Sequence, residues 1–176
     1  FKENLINLFK KKSIQIYRVK NNFNEKNLKQ IKTLNLDLII SLSCPFKIDE
    51  KILNIPRKGS INVHCSLLPK YRGLMPSFWA LYHQEKYSGV SIFFMNTIID
   101  DGPIIFQKKI NISNMNLEEL VIKSKNMSFV YLLSVLIDFR DDKIKIINDN
   151  PIGESTNFSF PKNRDIKKFK QFNKFY

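Results

Sequence analysis

Glycine is scarce in this sequence, with five among 176 residues and none in a Gly-rich run. There is no G-x-G-x-x-G turn and no P-loop, which removes the simplest dinucleotide- and nucleotide-cradling readings. Cysteine is nearly absent: Cys44 and Cys65 are too few for a disulfide framework, and no C-x-x-C spacing marks a zinc site. A reducing cytoplasm is the expected compartment, and no metal is expected. The N-terminus lacks the basic, apolar and small-residue segments of a secretory leader. No uninterrupted apolar run approaches the ~18–20 residues that span a bilayer, so no membrane partner is expected. Arginine is also sparse. Only Arg18, Arg57, Arg72, Arg140 and Arg164 stand among 29 basic residues, against 16 acidic ones, for a net charge of +13. Such a charge attracts polyanions. Lysine, however, is a weaker bidentate phosphate reader than arginine, and these lysines accompany abundant Asn and Ile. A composition-wide bias and a nucleic-acid partner both fit.

What is present suits a soluble globular protein. Hydrophobic residues make up 43% and charged residues 26%, enough for one domain with a real core. Residues 1–12 have helical spacing and end in Lys10-Lys11-Lys12. Residues 14–19 alternate like a strand. Residues 24–34 read as a helix capped by Asn24, and 37–42 as a short buried strand. A short helix over 48–55 stops before Pro56. A strand over 60–64 is followed by a loop containing Pro69 and Gly73. Residues 76–83 read as a helix with Pro76 in its first turn. Strands are expected over 90–95 and 104–110, a long amphipathic helix over 116–139 with an Asn116/Glu119 capping box, and a last strand over 143–147. Alternating strands and helices imply an α/β fold with a doubly wound, mostly parallel sheet. Residues 1–147 are expected to form the core and 148–176 an extended tail. Phe158, Phe160, Phe169, Phe172 and Phe175 stand among the lysines of that tail. Interleaved aromatics and bases can bind single-stranded nucleic acid, but packing of the phenylalanines back onto the domain is the favoured reading, because five exposed ones would invite aggregation.

Two stretches carry chemistry. In Ile61-Asn62-Val63-His64-Cys65-Ser66-Leu67-Leu68-Pro69-Lys70-Tyr71-Arg72-Gly73, Asn62 and His64 are two apart on a strand and share one face. They stand at its C-terminal end, where open α/β sheets place their ligand crevice. An amide donor beside an imidazole suits carbonyl addition, because both can stabilise an oxygen that turns negative. From spacing alone, a His and an Asn that merely satisfy backbone groups fit equally well. The second stretch, Ile99-Asp100-Asp101-Gly102-Pro103-Ile104-Ile105-Phe106-Gln107, puts two carboxylates in a turn that can return to the same rim. Asp100 is the candidate to orient His64 and take a proton. Asp101 reads as a turn acid that caps backbone N–H groups. A Cys65–His64 nucleophile pair is rejected, because adjacent strand residues face opposite ways.

The segments SINVHCSLLPKYRG, SGVSIFF and IIDDGPIIFQ, in this order and spacing, resemble the folate-dependent formyltransferases that act on phosphoribosylglycinamide, methionyl-tRNA or amino sugars. The resemblance is clear from about Asp37 to Ile110 and weaker through the long helix. It implies a Rossmann-like fold and transfer of a formyl group from 10-formyltetrahydrofolate to an amine, with Asn62, His64 and Asp100 as the catalytic trio. It implies a folate wall at Ser41–Ile48, with Phe46, Lys47 and Ile48 near the pteridine and Leu68 and Pro69 beside it. Ser66, Arg72 and Gly73 would shape the acceptor pocket. Arg72 could equally be a loop-stabilising arginine. Cys65 stands where the family often has Pro, and Cys44 where some members have Gly. The family's first strands have no counterpart and residue 1 is Phe, so an N-terminally truncated member is expected. With no further domain after residue 147, a small amine such as an amino sugar is the expected acceptor. An aminoacyl-tRNA acceptor and a non-catalytic nucleic-acid-binding relative are the alternatives. The pattern fixes no oligomeric state.

Overall fold

The computed structural model describes residues 2–19, 23–148 and 155–172. Helix α1 (Lys2–Lys11) ends in Lys10 and Lys11, which complement its C-terminal dipole. Residues 14–19 form no strand. Their alternation has no sheet edge to pair with, and Ile14, Ile16 and Tyr17 stay 40–50% exposed. Helix α2 (Glu25–Lys32) starts at Asn24, whose side chain accepts from the Asn27 N–H in a reciprocal capping box. Strand β1 (Ile39–Leu42) leads to the one-turn α3 (Glu50–Leu53), capped by Asp49. Then come β2 (Ser60–His64), the two-residue β3 (Arg72–Gly73) and α4 (Pro76–Tyr82), with proline in its first turn. The hairpin of β4 (Tyr87–Phe94) and β5 (Ile104–Asn111) precedes α5 (Leu117–Arg140), which opens on the Asn116/Glu119 capping box. The described chain closes with β6 (Asn157–Phe158) and α6 (Asn163–Phe172).

The α/β architecture is as expected, with one correction. The four-stranded sheet has the order β1-β2-β4-β5, and only β1 and β2 pair in parallel; β2–β4 and β4–β5 are antiparallel. Chain length explains this. Residues 95–103 link β4 to β5, fewer than the dozen or so a parallel crossover needs. Between β2 and β4 the only helix is α4, roughly 10 Å long at 1.5 Å per residue, too short to carry the chain back along the sheet. The core joins Ile61, Val63, Val90 and Ile92 of the sheet to Phe78 and Trp79 of α4 and to Leu120, Leu132, Val135 and Phe139 of α5.

Three further expectations change. The strand over 143–147 reduces to an isolated bridge between Asn148 and Ile104. The segment read as an extended tail holds β6 and α6. Phe169 of α6 is 1% exposed and packs 4.6 Å from the Phe78 ring, so the hydrophobic burial of that phenylalanine anchors the helix. Phe158 is stacked in the same aromatic cluster and Phe160 is exposed. The side chain of Phe172 and all of Phe175 lie outside the described residues. Finally, α5, with 24 residues, is long and apolar enough to cross a membrane by length and composition. Lys123, Lys125, Asn126 and Ser128 interrupt its sequence, so no run is visible. Leu120, Ser124, Ser128, Leu132, Val135 and Phe139 recur every three or four residues and face the core.

Candidate active site

Strand β2 delivers Asn62 and His64 to one face at its C-terminal end, as a period of two requires. The β4–β5 link brings Asp100 back over them. Two local features allow that return. Asp100 has φ of +52°, a left-handed conformation that Asp tolerates better than most residues. At Gly102 a Cβ would lie 1.6 Å from the Phe94 carbonyl oxygen, so only glycine lets the turn rest on β4.

The Asp100 carboxylate is the hub. One oxygen accepts from Asn62 Nδ2 at 3.2 Å, and the other accepts from the Gly73 backbone N–H at 2.8 Å. The second oxygen also lies 3.6 Å from His64 Nδ1, an ion-pair contact longer than a hydrogen bond. The His64 and Asp100 side chains are 8% and 9% exposed, so water competes little for these contacts. On the far side of the ring, His64 Nε2 lies 2.7 Å from the Tyr71 carbonyl oxygen. Both ring nitrogens thus face oxygens, Nε2 at hydrogen-bonding distance and Nδ1 beyond it. The second hydrogen of the Asn62 amide is a donor available to an incoming oxygen.

The loop from Ser66 to Gly73 is braced from several sides. Ser66 is fully buried and its hydroxyl donates to the Lys70 carbonyl oxygen. Ser91 donates to the Ser66 carbonyl, and Gln107 donates to the Leu68 carbonyl. Tyr71 donates its hydroxyl to Glu85, which also accepts from Lys70. Burial, then the Glu85 hydrogen bond and charge, push the Tyr71 hydroxyl well above the ordinary tyrosine value. For Glu85, burial acts to raise its pKa, but hydrogen bonds from Lys70 and Tyr71 outweigh it and hold the carboxyl below the usual range.

The expected acceptor-side residues are accordingly placed with differing availability. Arg72 forms an ion pair with Asp101, its side chain is 13% exposed, and its buried Nε has no hydrogen-bond partner. Gly73 contributes its N–H to Asp100. Leu68 and Pro69 are buried, Leu68 in a small apolar cluster with Phe93 and Ile104. Phe46 and Ile48 are half-buried and Lys47 is exposed. Phe46 meets Phe23 edge-on at 5.3 Å, and Cys44 Sγ donates to the Phe46 carbonyl at 3.2 Å. A cavity of about 700 Å³ opens beside this wall, lined by Phe23, Lys47, Asp49, Glu50, Lys51, Asn54 and Thr97. Asn62, His64 and Asp100 do not line it. Among the described residues, no group of three or more His, Cys, Asp or Glu is arranged to hold a metal ion.

Residues 2–128 match the formyl transferase family model. The chain belongs to the formyl transferase family. Among its relatives, the methionyl-tRNA formyltransferase of Ehrlichia ruminantium (strain Welgevonden) is 40% identical over 108 residues, covering 61% of this chain and 36% of that protein. The methionyl-tRNA formyltransferase of Dictyoglomus thermophilum is 42% identical over 137 residues, covering 76% and 43%. The chain thus spans less than half the length of these relatives. Among solved structures, a sugar N-formyltransferase from Shewanella sp. superposes with a TM-score of 0.72 at 22% identity, covering 94% of this chain and 68% of that one. The Helicobacter canadensis N-formyltransferase, solved with folinic acid and dTDP-3-aminofucose, gives 0.71 at 22%, covering 92% and 55%. At these identities the structural likeness establishes the Rossmann-like fold alone.

Sequence reasoning passed over Tyr71, Thr156 and Phe158. Tyr71 reaches His64 through a carbonyl group that every residue carries, so its identity gives no signal. Thr156 and Phe158 lie far along the chain in a segment without a visible period.

Proposed function

We propose that this formyl transferase family member moves a formyl group from 10-formyltetrahydrofolate to a primary amine. The observation that carries the proposal is the single buried carboxylate, Asp100, that holds both the Asn62 amide and the His64 ring. In the reaction the amine nitrogen bonds to the formyl carbon. The carbonyl oxygen gains negative charge, which the Asn62 amide and the His64 ring stabilise. As the bond from the formyl carbon to the folate nitrogen breaks, Asp100 takes the proton from the attacking nitrogen, directly or through a water, and the folate nitrogen takes up a proton in turn. The folate supplies the activated formyl group. Such a ligand would lie along residues 41–48, where Phe46 and Ile48 are half-buried and offer apolar surface for a flat ring, and Lys47 is an exposed cation for its glutamate carboxylates.

For the acceptor, methionyl-tRNA is the better-supported reading, because relatives about 40% identical carry that activity. The expectation of a small amine leaned on the chain's end, which has no force for a sequence spanning under half of those relatives. A nucleotide-linked amino sugar is the second reading, favoured by the fold neighbour solved with dTDP-3-aminofucose. The full-length protein, given 10-formyltetrahydrofolate with methionyl-tRNA and separately with nucleotide-linked amino sugars, separates the two. Tetrahydrofolate release with neither acceptor above background rejects both.

A further inference from the structure

Residues 155–159 lie outside the segment that matches the family, yet they are built into the site. The backbone of 71–74 is shared between two partners. The Arg72 N–H donates to the Thr156 carbonyl and the Leu74 N–H to the Phe158 carbonyl, both at 2.8 Å. These are the rungs of the parallel β3–β6 pair. The Gly73 N–H between them donates instead to Asp100. One residue earlier, the Tyr71 N–H donates to Thr156 Oγ1 at 2.8 Å while its carbonyl meets His64.

The fit on the β6 side is close. At Gly73, which has φ of +87°, a Cβ would lie 2.3 Å from the Phe158 carbonyl oxygen. The Phe158 ring stacks on Trp79 at 4.7 Å and on Tyr71 at 5.6 Å. Trp79 Nε1 then donates to the Ser159 carbonyl at 3.0 Å. Tyr71 itself has φ of +61°, a backbone conformation that persists only when its surroundings over-determine it. Nothing local to 66–73 accepts from the Tyr71 and Arg72 backbone N–H groups; Thr156, which leads into β6, does.

We infer that Thr156 and Phe158 are positioning residues for the catalytic centre: strand β6 holds the 71–73 backbone so that the Tyr71 carbonyl stays on His64 and the Gly73 N–H stays on Asp100. Neither side chain touches the trio. Their effect passes through two backbone groups of the loop. The inference rests on the proposed reaction only for its kinetic consequence, not for the structural coupling.

The test uses the full-length protein and two readouts. The first is the nitrogen NMR signal of the His64 ring, one of two histidines in the sequence, assigned by comparison with His64→Gln. The His64 Nε2 signal should move in Thr156→Val, which keeps the shape and loses the hydroxyl, and return in Thr156→Ser, which restores it. The second is kinetics. Thr156→Val should lower kcat about tenfold, the scale of one positioning hydrogen bond, with KM for the formyl donor within about twofold of the wild type. Phe158→Ala should lower it further, and Phe160→Ala, on the exposed neighbour, should not change it. An unmoved His64 signal in folded Thr156→Val overturns the inference, as does a Thr156→Ser variant as impaired as Thr156→Val. If the wild type transfers no formyl group, the proposed reaction fails while the His64 signal still decides the positioning.

Discussion

Asp100→Asn is the sharpest perturbation this site allows, because the substitution keeps the shape and removes the charge. The native carboxylate accepts from Asn62 at 3.2 Å and Gly73 at 2.8 Å, and faces His64 at 3.6 Å. An amide has one acceptor oxygen. With its oxygen kept on the Gly73 N–H, its NH₂ group meets the Asn62 amide nitrogen, donor against donor, unless the Asn62 amide flips and turns its own donors away from the site. Leaving one buried donor unpaired costs roughly 1–3 kcal/mol of folding free energy. For a domain of this size that lowers Tm by about 2–4 °C per kcal/mol. The catalytic loss is larger. The His64 ring loses the only carboxylate beside it among the described residues, and the attacking amine loses its proton acceptor, so kcat should fall by about 10²–10⁴-fold, or roughly 3–5 kcal/mol of barrier. The assay is initial-rate formation of tetrahydrofolate under saturating donor and acceptor, with circular dichroism on the same sample. A folded Asp100→Asn enzyme with kcat within about threefold of the wild type refutes the assignment. Asp101→Asn is the internal comparison: it breaks the pair with Arg72, not the hub, and should cost less than about tenfold. A larger loss at Asp101 than at Asp100 would mean that the turn has been misread.

Asn62→Ala and His64→Ala should each lower kcat by about 10²–10³-fold, as loss of an oxyanion donor does, with far-ultraviolet circular dichroism unchanged. Gly73→Ala should destabilise the fold by at least about 2 kcal/mol in urea melts, because it combines a left-handed φ with a Cβ 2.3 Å from a carbonyl oxygen. Glu85 has a carboxyl held below its ordinary value, so its contribution to stability is present above that value and lost as pH falls through the lowered one. Glu85→Gln should therefore be less stable than the wild type at neutral pH, with the gap closing in acid. Lys70 is half exposed, so the gap should be under about 1 kcal/mol, and a gap that widened in acid would contradict the sign.

Much of this site was readable because its chemistry depends on side-chain identity at fixed spacing. Asn62 and His64 follow from a period of two, Asp100 from a carboxylate-bearing turn between two strands that can return to the same rim, and the caps at Asn24 and Asn116 from local hydrogen bonding. What was missed depends on backbone groups or on contacts distant in sequence. The antiparallel pairing of β4 follows from how far the chain travels between strands, which hydrophobic pattern does not encode. The alternation of residues 14–19 looked like a strand, yet alternation needs a partner edge. Helix α6 was hidden because Phe169 supplies most of its inward anchoring, and one buried aromatic gives no period.

The loop beside the trio also bears on how an acceptor is recognised. Arg72 and Lys70 both stand in the loop after the catalytic strand, and the sequence offers Arg72 equally as a wall of the acceptor pocket and as a brace of that loop. In the fold each already has an acidic partner, Asp101 and Glu85. A guanidinium 13% exposed and ion-paired holds the loop against the Asp100 turn; it would have to break that pair and rehydrate the carboxylate before it could bind a substrate phosphate. The chain's net charge of +13 acts on any anion at a distance and weakens with salt. The site thus separates two tasks. Paired charges near the reacting atoms fix geometry, where a fraction of an ångström matters. The net charge of the chain acts farther out, where only sign and density of charge matter. For the proposed methionyl-tRNA acceptor, the first would act on the reacting amine and the second on the nucleic-acid backbone.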